Sequence, residues 1–220
     1  MKKGLKMRAL ERSDLRFIHE LNNNRNIMAY WFEEPYESYD ELEELYRKHI
    51  HDDAERRFVV EDEDGIVIGL VELIEINYIH RSAEFQIIIA PEHQGRGYAT
   101  EMINRALDYS FSILNLRKIY LLVAVDNEVA IHLYKKCGFI EEGHLVEEYF
   151  INGAYSDVKR MYILKHQYQE KDRRKERDSL IYSIKVKTQP SLLRFQFTQI
   201  DIGKIMRRAY LPHLNTCCCP

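Results

Sequence analysis

The chain has 220 residues, of which 45% are hydrophobic and 30% charged, and its formal net charge is −3. This balance is typical of a folded domain, and it excludes the strong basicity of many nucleic-acid-binding proteins. No segment approaches the roughly 20 apolar residues that a membrane-spanning helix requires, and the N-terminus has no signal-peptide core. The four cysteines have neither disulfide-framework nor zinc spacing. We therefore expect a cytoplasmic protein without nucleic-acid or membrane partners.

The predicted elements run in the order strand, two helices, three strands, helix, strand, helix and hairpin. Apolar residues at helical spacing in residues 13–21 and 41–50 predict the first two helices. Later, Gly138 is placed to end a short helix, and Asn152-Gly153 is typical of a two-residue hairpin turn. This order predicts a mixed α/β sheet with helices on both faces.

The periodic pattern stops near Gln169. A charge run, "QEKDRRKERD", follows, and residues 170–220 hold 11 Lys and Arg against 5 Asp and Glu. We therefore divide the chain into a core domain, residues 1–169, and a C-terminal extension, residues 170–220, that we expect to be poorly ordered or loosely docked.

A glycine-rich turn, "QGRGYA" at residues 94–99, lies between the apolar strand "FQIIIA" and a long amphipathic stretch. The start of a helix leaves backbone N–H groups unpaired and carries partial positive charge. Glycines there let the backbone approach an anion closely, so the turn predicts a phosphate-binding loop. A P-loop is excluded because no Gly-Lys-Ser/Thr follows, and a dinucleotide fold is excluded because the third glycine is absent.

A second motif, "DNEVAIHLYKKCGF" at residues 126–139, follows farther along. Together the two motifs resemble those of the GNAT acetyltransferase superfamily, Q/R-x-x-G-x-G/A and N-x-x-A-x-x-x-Y-x-K-x-G-F. The resemblance implies the GNAT fold for residues 1–169 and acetyl-CoA as co-substrate. The contacts that it implies for acetyl-CoA are Ile87, Ile88, Ile89, Gln94, Gly95, Arg96, Gly97, Tyr98, Ala99, Thr100, Asn127, Ala130, Tyr134 and Lys136.

The same resemblance implies that a substrate amine attacks the thioester directly. Tyr134 would protonate the departing thiolate, and a backbone N–H near Ile87 would polarise the thioester carbonyl. An amine with a pKa of about 10.4 must lose a proton before it attacks. Glu84, at the head of the strand before the glycine-rich turn, is the candidate to receive that proton.

The stretch 31–55 is unusually acidic, with ten Asp and Glu against one Arg and one Lys. A solvated helix face explains part of it, but "YWFEEPY" also interleaves aromatic rings with the acids. Carboxylates and aromatic rings together suit ammonium groups on a flexible methylene chain. Glu72, Glu75 and Glu84 add acids in the adjacent strands, so we expect a polycationic substrate.

Segments between Met7 and Gln169 are also similar to the bacterial polyamine acetyltransferases, which act on spermidine and spermine. That similarity implies a dodecamer, magnesium near Glu33 and Glu75, and a second, allosteric polyamine site. The residues that it implies for polyamine binding are Met28, Glu33, Glu41, His49, Ile50, His51, Asp52, Glu84, Phe85 and Gln86. Two alternatives stay open: an acetyltransferase for the N-terminus of a ribosomal protein, and a non-catalytic polyamine sensor on the same fold.

Overall fold

The computed structural model describes residues 4–32 and 34–188, and a seven-stranded sheet is its centre. The strand order is β1-β2-β3-β4-β5-β7-β6, and every neighbouring pair is antiparallel except β4 and β5. The prediction of a mixed sheet is confirmed. The strands are β1 (Lys6–Ala9), β2 (Arg56–Glu61), β3 (Val67–Asn77), β4 (Ser82–Ile89), β5 (Lys118–Ala124), β6 (Ile140–Ile151) and β7 (Ala154–Leu164).

Helices cover both faces of the sheet, as predicted. One buried cluster joins the sheet to α4 and α5, and a second joins the opposite face to α1 and α3. Because side chains alternate along each strand, Phe85 enters the first cluster while Ile88 enters the second. The helices are α1 (Leu15–Asn22), α2 (Arg25–Trp31), α3 (Tyr39–His49), α4 (Tyr98–Asp108), α5 (Glu128–Cys137) and α6 (Lys165–Thr188).

The sequence pattern did not predict α2 or α6. The first is only seven residues long, and Asn24 caps it by accepting hydrogen bonds from the backbone of Asn26 and Ile27. The second coincides in part with the charge run. The predicted long helix after the glycine-rich turn is also divided, because α4 passes into a π-helical segment, Tyr109–Ile113.

The chain divides into two compact units, residues 1–175 and 176–220. The first contains the sheet, helices α1 to α5 and the beginning of α6; in the second, the described residues are helical. A boundary after residue 169 stays a prediction. Among the described residues, none of the helices is both long and apolar enough to cross a membrane.

The parallel pair β4–β5 is joined over only three positions, from Ser82 opposite Lys118 to Glu84 opposite Tyr120. Beyond Glu84 the two strands separate, while β4 remains paired with β3 as far as Ile89. Gly69 allows this close pairing, because a Cβ there would lie 2.3 Å from the carbonyl oxygen of Ile88. The sheet therefore opens in its middle, and the opening positions the candidate site.

Candidate active site

A cleft of about 520 Å³ lies where β4 leaves β5. The predicted acetyl-CoA residues from β4, the glycine-rich turn and the start of α5 share its wall, and α2 supplies the opposite side. Its lining residues are Asn24, Asn26, Ile27, Tyr30, Trp31, Ile87, Ile88, Ile89, Pro91, Gln94 and Asn127.

The glycine-rich turn has the backbone geometry of an anion site. Gly95 and Gly97 both have positive φ, +71° and +82°, and a Cβ at either would meet open space. Gly97 is the N-cap of α4, so the first N–H groups of that helix point towards the turn. Gln94 ties the turn to the strand by donating a hydrogen bond from Nε2 to the carbonyl oxygen of Ile89, at 3.0 Å.

Other predicted acetyl-CoA contacts on α4 differ in exposure. The Arg96 side chain is exposed beside the turn, and Ala99 and Thr100 are half-buried. The Tyr98 side chain is buried in the cluster under α4. Tyr98 can therefore contact a ligand in the cleft through its backbone but not through its side chain.

The second motif forms α5. The side-chain oxygen of Asn127 accepts the backbone N–H of Ala130 and begins the helix, and Gly138, at φ +109°, ends it. The Lys136 side chain is exposed. The Tyr134 ring packs against the buried cluster that joins the sheet to α4 and α5. The expected short helix closed by Gly138 is confirmed.

The environment of Tyr134 keeps its hydroxyl protonated. Burial among apolar groups raises the pKa of Tyr134, with a smaller contribution from the neighbouring Cys137 thiol. The ring meets Phe139 edge-on at 5.7 Å, and the hydroxyl makes no hydrogen bond to another described residue. It is therefore free to donate to a ligand.

A group of polar side chains faces the other side of the sheet, at the point where β4 and β5 part. Glu84 Oε1 accepts a hydrogen bond from Gln86 Nε2 at 3.1 Å, and Tyr120 lies directly opposite Glu84 on β5. A bulge in β3, with Glu75 at φ +51°, turns the Glu75 carboxylate to accept the Tyr120 hydroxyl. The sheet thus places two carboxylates beside its own opening.

The surroundings of Glu84 raise the pKa of its carboxyl group. Burial raises the pKa of Glu84, and the nearby negative charge of Glu75 adds to the rise; the Gln86 hydrogen bond and the Arg160 charge oppose it. The Arg160 guanidinium lies 4.0 Å above the Tyr120 ring. A carboxyl group in this position can take up a proton more readily than an exposed one.

The sequence pattern did not predict Tyr120, Tyr149 or Arg160 as members of this group. Tyr120 and Arg160 share a face through strand pairing, which no local pattern reveals. Tyr149 follows a register shift in β6 and stacks on Phe32 at 4.2 Å; burial and the charge of Glu84 raise its pKa. The segment "KIYLLVAV" is a continuous apolar run, so it does not indicate which of its side chains lies beside the carboxylates.

The structure does not bring the predicted polyamine residues into one cavity. His49, Ile50, His51 and Asp52 line a pocket of about 490 Å³ at the end of α3. Met28 and Glu41 line a smaller one, of about 200 Å³. Glu84 and Gln86 lie at the sheet opening, whereas the Phe85 side chain is 2% exposed and belongs to the core. Glu33 lies outside the described residues.

The predicted magnesium site has one described ligand, Glu75, whose carboxylate already accepts the Tyr120 hydroxyl. Across residues 4–32 and 34–188, no three His, Cys, Asp or Glu side chains are grouped closely enough to hold a metal ion. The described donors alone do not fit a magnesium ion, so no chemical step is assigned to one.

The opening between β4 and β5, with its glycine-rich turn, defines the class. Residues 5–140 match the family model described as acetyltransferase (GNAT) domain, and the chain belongs to the GNAT acetyltransferases. More narrowly, it is 78% identical over 168 residues to the spermidine N(1)-acetyltransferase of Vibrio cholerae, covering 76% of this chain and 97% of that protein. The corresponding Escherichia coli K12 enzyme is 60% identical over 165 residues, covering 75% and 88%.

A solved structure agrees with this assignment. The spermidine N-acetyltransferase of Vibrio cholerae in complex with CoA and spermine is 79% identical, with a TM-score of 0.74. The match covers 75% of this chain and 98% of that one. The GNAT fold and acetyl-CoA as co-substrate, both implied by the resemblance, are confirmed.

Proposed function

We propose that this chain transfers the acetyl group of acetyl-CoA to an amine of a polyamine, with spermidine and spermine as acceptors. The observation that carries the proposal is the opening between β4 and β5, which has Tyr134 in the cluster on one face and Glu84 on the other. A thioester in the opening would have a proton donor near its sulfur and a proton acceptor on the side of the incoming amine. The names of the similar proteins supply the class of amine.

We assign the pyrophosphate of acetyl-CoA to the turn and helix start at residues 94–100. Two positive-φ glycines and the unpaired N–H groups of α4 support that assignment. The backbone of Ile87–Ile89 would pair with the pantetheine arm, because β5 has left that side of β4 free. Asn127, Ala130 and Lys136 would contact the CoA from α5.

The chemistry proposed is one direct transfer. The amine nitrogen attacks the thioester carbon, the C–N bond forms, and the C–S bond then breaks. Glu84 receives the proton lost by nitrogen, directly or through water, and the sulfur takes the proton of Tyr134, which solvent then replaces. A backbone N–H near Ile87 would stabilise the oxyanion between these events.

The acidic side chains around α3 form the proposed allosteric polyamine site. Glu41 and Asp52 line different pockets of a single chain, and a neighbouring subunit would be needed to join them. We therefore propose that the second site lies between subunits of a dodecamer, in the cytoplasm, and that Glu33 contributes to it.

One experiment separates this proposal from its alternatives. Isothermal titration with spermidine, with and without acetyl-CoA, measures binding, and release of free thiol measures turnover. We expect turnover with spermidine and spermine but none with a peptide bearing a ribosomal-protein N-terminus. Turnover with the peptide alone would support the protein acetyltransferase, and polyamine binding without any turnover would support the sensor.

A further inference from the structure

The last turn of α5 is held from outside by the C-terminal helix. Lys171, on the second turn of α6, donates a hydrogen bond from Nζ to the carbonyl oxygen of Lys136. Its side chain also packs beside Gly138, where a Cβ would lie 3.5 Å from Lys171 Cδ. A cation at the C-terminal end of a helix meets the negative end of the helix dipole and satisfies a carbonyl that the helix leaves unpaired.

Two other carbonyls of this turn, those of Tyr134 and Lys135, accept hydrogen bonds from the cap of α5 itself. The N–H of Gly138 donates to the carbonyl oxygens of Tyr134 and Lys135, each at 3.0 Å. The N–H of Phe139 donates to Tyr134 as well, also at 3.0 Å. The next carbonyl along the chain is that of Lys136, and it accepts the hydrogen bond from Lys171 Nζ. The backbone around Tyr134 is thus fixed from two sides.

The start of α6 is itself firmly placed. Gln167 Oε1 accepts the backbone N–H of Leu164 at 3.0 Å and stabilises the first turn. The Tyr168 ring lies 5.3 Å from Phe111, in the π-helical segment after α4. Lys171 therefore reaches α5 from a base that is packed on the core, within the first compact unit.

We propose that Lys171 is a positioning residue, which fixes the last turn of α5 and thereby the hydroxyl of Tyr134. The inference rests on the proposed role of Tyr134 as the proton donor. Because that hydroxyl has no hydrogen-bond partner among the described residues, its place depends on the Phe139 contact and on the backbone of its own turn. A looser turn would misplace the donor while acetyl-CoA remained held by the glycine-rich turn.

The test compares three single variants in the full chain. Lys171→Met keeps much of the aliphatic stem but removes the donor, and we expect kcat to fall about two- to fivefold, the factor that a cation at a helix end is worth. The KM for acetyl-CoA should change less than kcat, because most of the proposed CoA contacts lie away from this turn, and Lys171→Arg should restore most of kcat. Arg173→Met is the matched control, because among the described residues Arg173 hydrogen-bonds to the Gln169 carbonyl of its own helix and to no other group.

The decisive step repeats Lys171→Met in a Tyr134→Phe background. If Lys171 acts through the Tyr134 hydroxyl, the double variant should be no slower than Tyr134→Phe alone. An equal fractional loss in both backgrounds, or no loss in the wild type, would overturn the proposal. Wild-type turnover by Tyr134→Phe alone would instead refute the acid role itself, and the Lys171 proposal with it.

Discussion

The two sides of the candidate site are built in opposite ways. The proposed acetyl-CoA side comes largely from two short contiguous segments, residues 94–100 and 127–136, in which glycines and helix starts set the backbone geometry. The proposed amine side is assembled from one side chain on each of five strands: Glu75, Glu84, Tyr120, Tyr149 and Arg160. A site made of local backbone can be read from a motif, whereas a site made by strand pairing appears only when the sheet is known.

The largest expected effect on kcat comes from removing the proposed proton donor, which lies between the two sides. We predict that Tyr134→Phe lowers kcat by about 10²- to 10⁴-fold, the usual contribution of a positioned acid. Acetyl-CoA affinity should remain, because the hydroxyl is not part of the phosphate loop. Steady-state kinetics with spermidine and calorimetry with CoA provide the measurement. Turnover within twofold of the wild type would contradict the assignment.

The next effect belongs to the amine side. We predict that Glu84→Gln lowers kcat by about 10²-fold, through loss of a general base. Because burial raises the pKa of Glu84, the wild-type rate should fall as the pH drops through that raised value. The acid limb of the kcat profile should disappear in the variant.

The melting temperature shows whether Glu84→Gln acts on catalysis or on folding. A carboxyl group with a raised folded-state pKa makes the fold less stable as the pH rises through that value. Its replacement by a neutral amide should therefore leave the melting temperature at neutral pH unchanged or higher. A variant that loses activity together with melting temperature would point to a packing defect instead.

A smaller effect, on CoA affinity, tests the proposed acetyl-CoA side at its glycine-rich turn. Gly97→Val forces a β-branched residue into φ +82° at the start of α4, which costs about 1–2 kcal/mol. We predict that CoA affinity falls by about 30-fold or more, because the turn must distort or the side chain must block the phosphate. Gly65→Val is the matched control, since Gly65 has φ +78° in a distant turn. Equal CoA affinity in both variants would refute the phosphate loop.

The smallest effect concerns the acidic surface of α3. We predict that Glu41→Gln raises the half-saturating spermidine concentration about 10-fold and flattens a sigmoidal response, through loss of a charge-assisted contact. The shift should shrink at high salt, because ions screen the attraction. Glu44→Gln is the control, as Glu44 is exposed on the same helix. Superimposable curves for the two variants would show that Glu41 only solvates α3.

Local chemistry explains which elements the sequence could predict. The Asn152-Gly153 turn is confirmed, with φ of +51° and +88°, because only a few residue types accept those angles. The Gly138 cap and the glycine-rich turn were predictable for the same reason. Each depends on a residue and its immediate neighbours, and each therefore leaves a signal in the sequence.

The missed elements depend on more distant partners. In α2, seven residues hold too few apolar positions for a helical period, and its stability comes from Asn24 and from packing of Ile27 and Trp31. In α6, charged residues occur at positions all around the helix, so its sequence has no apolar stripe of helical period. The bulge that turns Glu75 towards Tyr120 follows from register with β4 and leaves no sequence signal of its own.

The separation of β4 from β5 gives the sheet an edge within its own interior. In the part of the chain that the structure describes, β4 has a strand neighbour on one side only from Phe85 to Ile89. Unpaired strand edges invite pairing with other extended chains and promote aggregation. Pro91 lies two residues after the end of the strand, and α2 lies across the cleft and partly covers the open edge.

The proposed ligand would complete this cover. A bound pantetheine arm would occupy the open hydrogen-bonding groups, and a ligand that binds only the native state stabilises it by RT ln(1 + L/Kd), where L is the free ligand concentration. The empty enzyme should therefore aggregate faster on heating than the CoA-saturated enzyme. The supply of co-substrate would then set not only how fast the enzyme works but also how long it survives.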